Sequence, residues 1–228
     1  MTRVLGVDGA RGGWAGALVT LPDGGRGRPQ VEWLRLATFT DVLAVGADAV
    51  GVDMPIGLPA RGRRSCDLLA KTLLGRAHPR VFLAPPRGVL DATTYAEAGA
   101  VHRELTGGLG LSVQTWHLVP KIREVDLATT AEDDQRQAEV HPELSLAQLA
   151  GLGDGHGLPS KKTAVGRAAR LAALAGWCPD LTGVPAGDDG LDALAVAWST
   201  QRWLAGTART LPGVPERDEQ GRVMRVVT

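Results

Sequence analysis

Two cysteines in 228 residues, Cys66 and Cys178, are too few and too isolated to staple a fold. Neither lies in a C-x-x-C spacing, so no zinc site or disulfide framework is indicated. The pair reads as two small buried hydrophobes in a reducing, cytoplasmic setting. Long apolar runs are also missing: nothing approaches the ~18 residues of a membrane span. The opening MTRVLGVDGARGGW is too short and glycine-broken for a signal peptide, so a soluble, cytoplasmic chain with no membrane partner is expected. Net charge is absent too, with 25 Lys and Arg against 25 Asp and Glu. That balance argues against tight, sequence-indifferent binding to nucleic acid. No internal repeat, low-complexity block or linker divides the chain. With 44% hydrophobic residues, it is long enough to bury a sizeable core without staples.

The charge that is present is uneven. Residues 61–87, RGRRSCDLLAKTLLGRAHPRVFLAPPR, hold seven Arg or Lys and one acid, Asp67. Such a run is either a phosphate-facing patch or a solvated Arg-rich surface. Apolar periodicity then places the elements. Residues 3–8, 14–21 and 31–36 read as strands joined by short glycine-rich turns, an antiparallel meander. Residues 38–47 form a helix capped by Thr38 or Thr40, and a fourth strand ends at Asp53, parallel to the first. Helices follow at SCDLLAKTLLG, at TTYAEAGAVHRELTGG and at SVQTWHLVPKIREVD, where Pro120 should kink or split the helix. QAEVHPELS (137–145) holds a short strand. PSKKTAVGRAARLAALAGW is a helix capped by Ser160 and ended by Gly176, and the last long helix starts within GDDGLDALAVAW and runs to about Gly206. A terminal hairpin turns around Gly221. This order predicts one α/β domain over 1–228, with a mixed sheet and a helical insertion at about 57–130.

The acids fall in a pattern. Asp8 ends one apolar strand, Asp53 ends another, and Asp189 with Asp192 opens the late helix. Strand-end carboxylates border the ligand crevice of open α/β sheets, and they are costly there unless bonded or metal-bound. Positions i and i+3 share a helix face, so Asp189 and Asp192 can point at one place. If that helix packs across strands one and four, four carboxylates converge, and divalent cations are the usual way to neutralise them. Each acid also has a plain structural reading. Asp189 suits an N-cap with Asp192 at N3, Asp8 an Asx-turn before Gly9, and Asp53 the organisation of a loop. Their coincidence in the order strand, strand, late helix favours a site. Asp188 has no assigned role.

This order of strand-end acid, meander, helix, second strand-end acid and late D-x-x-D helix resembles the ribonuclease-H-like fold. DGLDALAVAW is similar to the end of bacterial Holliday-junction resolvases, where D-x-x-D-A-L-A opens the closing helix. GVDGARGGW, VGVDMPIGLP, RVFLAPPR, GLSVQTWHLVPKIREVD, EVHPELS, PSKKT and DGLDALAVAW, spread over nearly the whole length, resemble the domain-of-unknown-function 429 family, described as predicted nucleases of that fold. The resemblance implies hydrolysis of a phosphodiester in nucleic acid by two Mg²⁺ or Mn²⁺ ions ~3.5–4 Å apart. Asp8 would bridge the ions, with Asp53 on one side and Asp189 and Asp192 on the other; oxygen-only ligation favours these metals over zinc. The likeness to resolvases further implies a homodimer.

In EVHPELS, Glu139 follows the strand alternation and could reach the site, and His141 could shuttle a proton or orient water, although a lone His is more often structural. Glu143 more simply starts the next helix. Lys161 and Lys162 open a helix against the preference of its dipole, which hints at a phosphate or carboxylate partner. Arg11, Arg63 and Arg64 are further candidate phosphate contacts. Trp14, Trp116 and Trp198 are expected in the core. Two other functions remain open. GVDGARGGW also resembles the first phosphate loop of the actin and sugar-kinase class, which would make the chain a nucleotide-dependent phosphotransferase or ATPase. That class uses two such domains, for which 228 residues are short, and no second D-x-G loop follows a later meander. The other is a non-catalytic binding module of the same fold.

Overall fold

Alternation along the first strand decides which side of the sheet carries the site. In the computed structural model, which describes residues 1–22 and 28–228, β1 (Thr2–Ala10) turns at Gly12 and Gly13 into β2 (Gly13–Leu21). The loop expected at PDGGRGRP lies largely outside the described residues. β3 (Gln30–Leu36) completes an antiparallel meander, and β4 (Ala49–Val52) and β5 (Gln137–Glu139) add in parallel, giving the order β3-β2-β1-β4-β5. This is the expected mixed sheet, an antiparallel meander extended by parallel strands. Successive β1 residues face opposite ways. Leu5 and Val7 join a core with Trp14, Phe39, Val52 and Ile122, while Val4 joins Leu191, Leu194 and Ala197 on the other face.

Helix α7 (Asp189–Leu204) lies across that second face. Two glycines set how closely it can lie. Gly6 and Gly51 are register partners on β1 and β4. A Cβ on Gly6 would stand 2.1 Å from the Ala193 carbonyl oxygen and 2.3 Å from Ala197 N. One on Gly51 would stand 1.9 Å from Thr200 Oγ1. Helix backbone over Gly6, and the Thr200 and Val196 side chains over Gly51, therefore fill the space that a side chain would need at these positions.

Between β4 and β5 the chain forms α2 (Ser65–Leu74), α3 (Tyr95–Thr106) and α4 (Val113–Ala128), with short 3-10 turns around them. α1 (Phe39–Ala44) begins at Thr38, whose side chain and that of Asp41 form a capping box. Pro120 does not divide α4: the helix runs through it with Val119, Ile122 and Val125 buried, and that packing outweighs the lost backbone bond. After α5 (Pro142–Leu149), α6 (Ala164–Trp177) starts later than expected. Thr163, not Ser160, caps it by accepting from Gly166 N at 3.0 Å, so Lys161 and Lys162 lie in the turn before the helix. The helix-dipole argument for those lysines therefore fails. The chain ends in the expected hairpin, β6 (Thr210–Arg217) and β7 (Val223–Val227), and Val227 also bridges to Val140 beside β5. Trp14 is fully buried, with its indole donating to Glu124 Oε2 at 2.9 Å. Trp116 packs against Tyr95, and Trp198 lies under the Arg202 guanidinium. Among the described residues no helix is long and apolar enough to cross a membrane.

Candidate active site

Two residues beyond Gly6 and Gly51 on the same sheet face come Asp8 and Asp53. β1 runs on to Ala10, so Asp8 sits within the strand, paired with Ala15, and not at its end as expected. Asp53 continues β4, its N–H donating to the Val7 carbonyl at 3.0 Å. Because α7 is seated on the glycines, its first turn arrives at the same place. Asp8, Asp53, Asp189 and Asp192 all line one cavity of about 440 Å³. Capping does not explain the helix acids. Asp188 holds the N-cap position without a side-chain cap bond, Asp189 is the first helical residue, and Asp192 is buried. Asp188 itself faces Arg167, at 3.4 Å.

The carboxylates are crowded and poorly compensated. Burial, then the neighbouring charge of Asp192, holds the Asp8 carboxyl well above its ordinary value. Burial and then Asp8 do the same to Asp53. Asp192 is also raised, chiefly by burial. Among the described residues, the one cation bonded into the group is Lys161, whose Nζ meets Asp192 Oδ2 at 2.5 Å. Burial works against that ammonium, but Asp192, Asp8 and Asp53 outweigh it and hold the lysine protonated. The turn carrying Lys161 is pinned from behind. Arg170 donates to the Pro159 carbonyl at 2.7 Å and Arg80 to the Leu158 carbonyl at 2.8 Å. Both arginines also grip Glu143, at 2.5 and 2.8 Å. Glu143 thus does more than start α5: it lines the cavity and anchors the two arginines. Nothing local in the sequence marks that role, because its partners lie 27 and 63 residues away.

The remaining candidates separate. His141 lines the cavity, burial pushes its imidazole down to about 4, and its Nδ1 has no hydrogen-bond partner. Lys162 is exposed at the cavity rim. Glu139 does not join the acids. It is level with Val52 in the sheet, one residue out of phase with Asp53, and so belongs to the opposite face. There its carboxylate takes Arg64 Nη1 and Nη2, each at 2.7 Å, and Ile56 N–H at 2.9 Å. Arg64 is correspondingly closed to a phosphate. It is 1% exposed and also bonded to Asp67. Arg11 is exposed and lies outside the cavity wall, while Arg63 lines a neighbouring cavity.

A family profile described as "Protein of unknown function (DUF429)" matches residues 6–217. The chain belongs to the DUF429 family. A comparison of this DUF429 protein with curated proteins finds no match. Among solved structures, the Thermus thermophilus RuvC structure is similar at 14% identity and TM-score 0.43, over 90% of this chain and 98% of that one. T. thermophilus RuvC in complex with Holliday junction substrate is similar at 14% identity and TM-score 0.39, over 91% and 98%. Neither likeness bears on the chemistry of the DUF429 cavity.

Among the described residues, no group of three or more His, Cys, Asp or Glu side chains is arranged to hold a metal ion as it stands. The donor set nonetheless suits one. It is all carboxylate oxygen, the Asp192 charge raises the proton affinity of Asp8 and the Asp8 charge that of Asp53, and the buried Asp192 Oδ1 has no partner among the described residues. A hard divalent cation would satisfy that oxygen and replace the protons that burial otherwise imposes on the acids.

Proposed function

We propose that this DUF429 protein is a divalent-metal-dependent nuclease that hydrolyses phosphodiester bonds in nucleic acid. The observation that carries the reading is the convergence of Asp8, Asp53, Asp189 and Asp192 on one cavity with, among the described residues, a single bonded counter-cation. Structural ion pairs match their charges, whereas this cluster leaves carboxylates unmatched in a cleft, as a metal site requires. Asp8, Asp53 and Asp192, with Asp189, would hold Mg²⁺ or Mn²⁺. When bound, such ions activate a water and stabilise the leaving oxygen of the ester.

The chain's own residues do the rest. Lys161 neutralises Asp192, and Lys162 at the rim gives a phosphate a cation to meet, supplying the attraction that a neutral protein lacks overall. His141 lines the cavity and is neutral near pH 7, because burial lowers it to about 4. Arg80 and Arg170, fixed by Glu143, keep the lysine turn in place. The test is cleavage of single-stranded, duplex, hybrid and branched substrates with Mg²⁺ or Mn²⁺. Metal-dependent cleavage of at least one, abolished by chelation, is expected. No cleavage of any substrate with either ion contradicts the reading.

A further inference from the structure

The charges of the basic run at residues 61–87 divide into two sets. Three of its arginines fold inward onto carboxylates: Arg64 onto Asp67 and Glu139, Arg80 onto Glu143, and Arg87 onto Asp126 and Asp218. Arg61, Arg63 and Arg76 are exposed and have no hydrogen bond or ion pair among the described residues. Lys71 has no carboxylate either; its Nζ donates to the His78 carbonyl at 3.1 Å. A solvated surface would scatter these leftover cations. Instead, Arg63 and Lys71 line one cavity of about 290 Å³ that has no Asp or Glu in its wall.

That cavity adjoins the acidic one. Pro79, Phe82 and Gln114 belong to both walls, so the half-buried Phe82 ring stands at the partition. On the basic side Val81, Leu109 and Leu111 line the cavity beside the buried polar side chains of His102 and Thr115. Exposed cations, an aromatic ring at the boundary and a wall that mixes apolar with hydrogen-bonding groups are the parts that hold an unpaired nucleotide: phosphate on the cations, base against the ring. A base within a duplex is stacked on both faces and cannot enter.

We infer that the Arg63–Lys71 cavity binds an unpaired nucleotide of a single-stranded nucleic acid, whose strand continues past Phe82 to the acidic cavity. This rests on the nuclease reading and narrows its substrate to a single strand, or to the unpaired part of a branched one. The base lies against Phe82 and Leu111, Gln114 faces it from α4, and the phosphate takes Arg63 and Lys71.

The test is binding, read by fluorescence anisotropy of labelled oligonucleotides with chelator present, so that no cleavage intervenes. Wild type binds single strands at least tenfold more tightly than blunt duplex of equal length. R63Q/K71Q weakens single-strand binding about tenfold or more and lowers the slope of log affinity against log salt by about 0.7, the share of the one phosphate that the two cations hold. Phe82→Leu weakens it about fivefold or more at every salt concentration, because stacking carries no counterions. R63E removes no folded-state contact and gives the same sign of effect should the double variant fold poorly. Equal affinity for duplex, or an unchanged affinity and slope in R63Q/K71Q and R63E, overturns the inference. The two readings fail separately. Binding through Arg63 and Lys71 without metal-dependent cleavage sinks the nuclease alone, and cleavage with binding indifferent to these residues sinks the nucleotide site alone.

Discussion

Glu139 and Asp53 stand one register step apart on neighbouring strands and face opposite sides of the sheet. On the Glu139 side, every carboxylate oxygen of Glu139 and Asp67 has a donor: the Arg64 guanidinium takes both groups, and the backbone N–H groups of Ile56 and Ala84 complete them. On the Asp53 side, three of the four acids are buried enough to resist ionisation, one lysine is bonded to one of them, and an oxygen of Asp192 has no donor. Both are buried charge clusters at the same end of the sheet. The first is closed and holds the loop after β4 to β5. The second is open, and its imbalance is what a ligand would correct. Burial and perturbed carboxylates alone do not mark a functional site; the difference lies in whether partners are complete.

Removing Arg64 should break the closed cluster with the largest effect on stability. Arg64→Met leaves Asp67 and Glu139 buried without their counter-charge, and denaturant unfolding should show a loss of about 3–5 kcal/mol. A loss too small to measure would mean that the pairing contributes nothing. Next comes the seat of α7. Gly6→Ala puts a methyl 2.1 Å from the Ala193 carbonyl oxygen. The overpacking should cost about 1–3 kcal/mol and, by lifting Asp189 and Asp192 from Asp8, should reduce cleavage more than its stability loss explains. Cleavage unchanged at a temperature where the variant is folded would show that the acids do not depend on this seat.

The smallest effect concerns acid stability. Asp218 belongs to a second closed cluster, with Arg87 at 2.5 Å and Arg222 at 3.0 Å. Burial would raise its carboxyl, but the Arg222 backbone N–H and guanidinium, with the Leu58 and Gln220 N–H groups, hold it below the ordinary value of 3.8. A carboxyl lowered by folding stabilises above its unfolded value, and that contribution disappears as pH falls through the lower folded value. Wild type should therefore lose stability below pH 3.8 more steeply than Asp218→Asn does. Identical acid limbs in thermal unfolding would remove Asp218 from the closed class.

Much of this architecture was legible because it rests on short-range pattern. The meander, the parallel fourth strand and the D-x-x-D helix follow from alternation and spacing, and together they nominate Asp8, Asp53, Asp189 and Asp192. What failed depends on register and on distant partners. Glu139 looks as though it could reach the site, but only the β4–β5 register, with Val52 beside Glu139, shows that it faces away. Arg64 reads as a free cation until Glu139, 75 residues on, is found against it. Lys161 suggests a phosphate or a carboxylate partner through its place at a helix start, but the helix begins after it, and its Nζ lies against Asp192. No local pattern marks the pairing of Gly6 and Gly51 beneath α7. Each glycine looks like an ordinary strand residue until the helix is placed over it.

The account stands on the acidic cavity's being a divalent-ion site, and calorimetric titration of wild type and Asp8→Asn with Mn²⁺ tests that most directly. Wild type should bind Mn²⁺ saturably. Asp8→Asn should lose that binding by more than the roughly 10–100-fold that loss of an outer partner costs. Its metal-free stability should be unchanged or higher, because folding no longer has to bury a carboxyl that resists ionisation there. Equal Mn²⁺ binding by the two proteins, or none by wild type, would contradict the account.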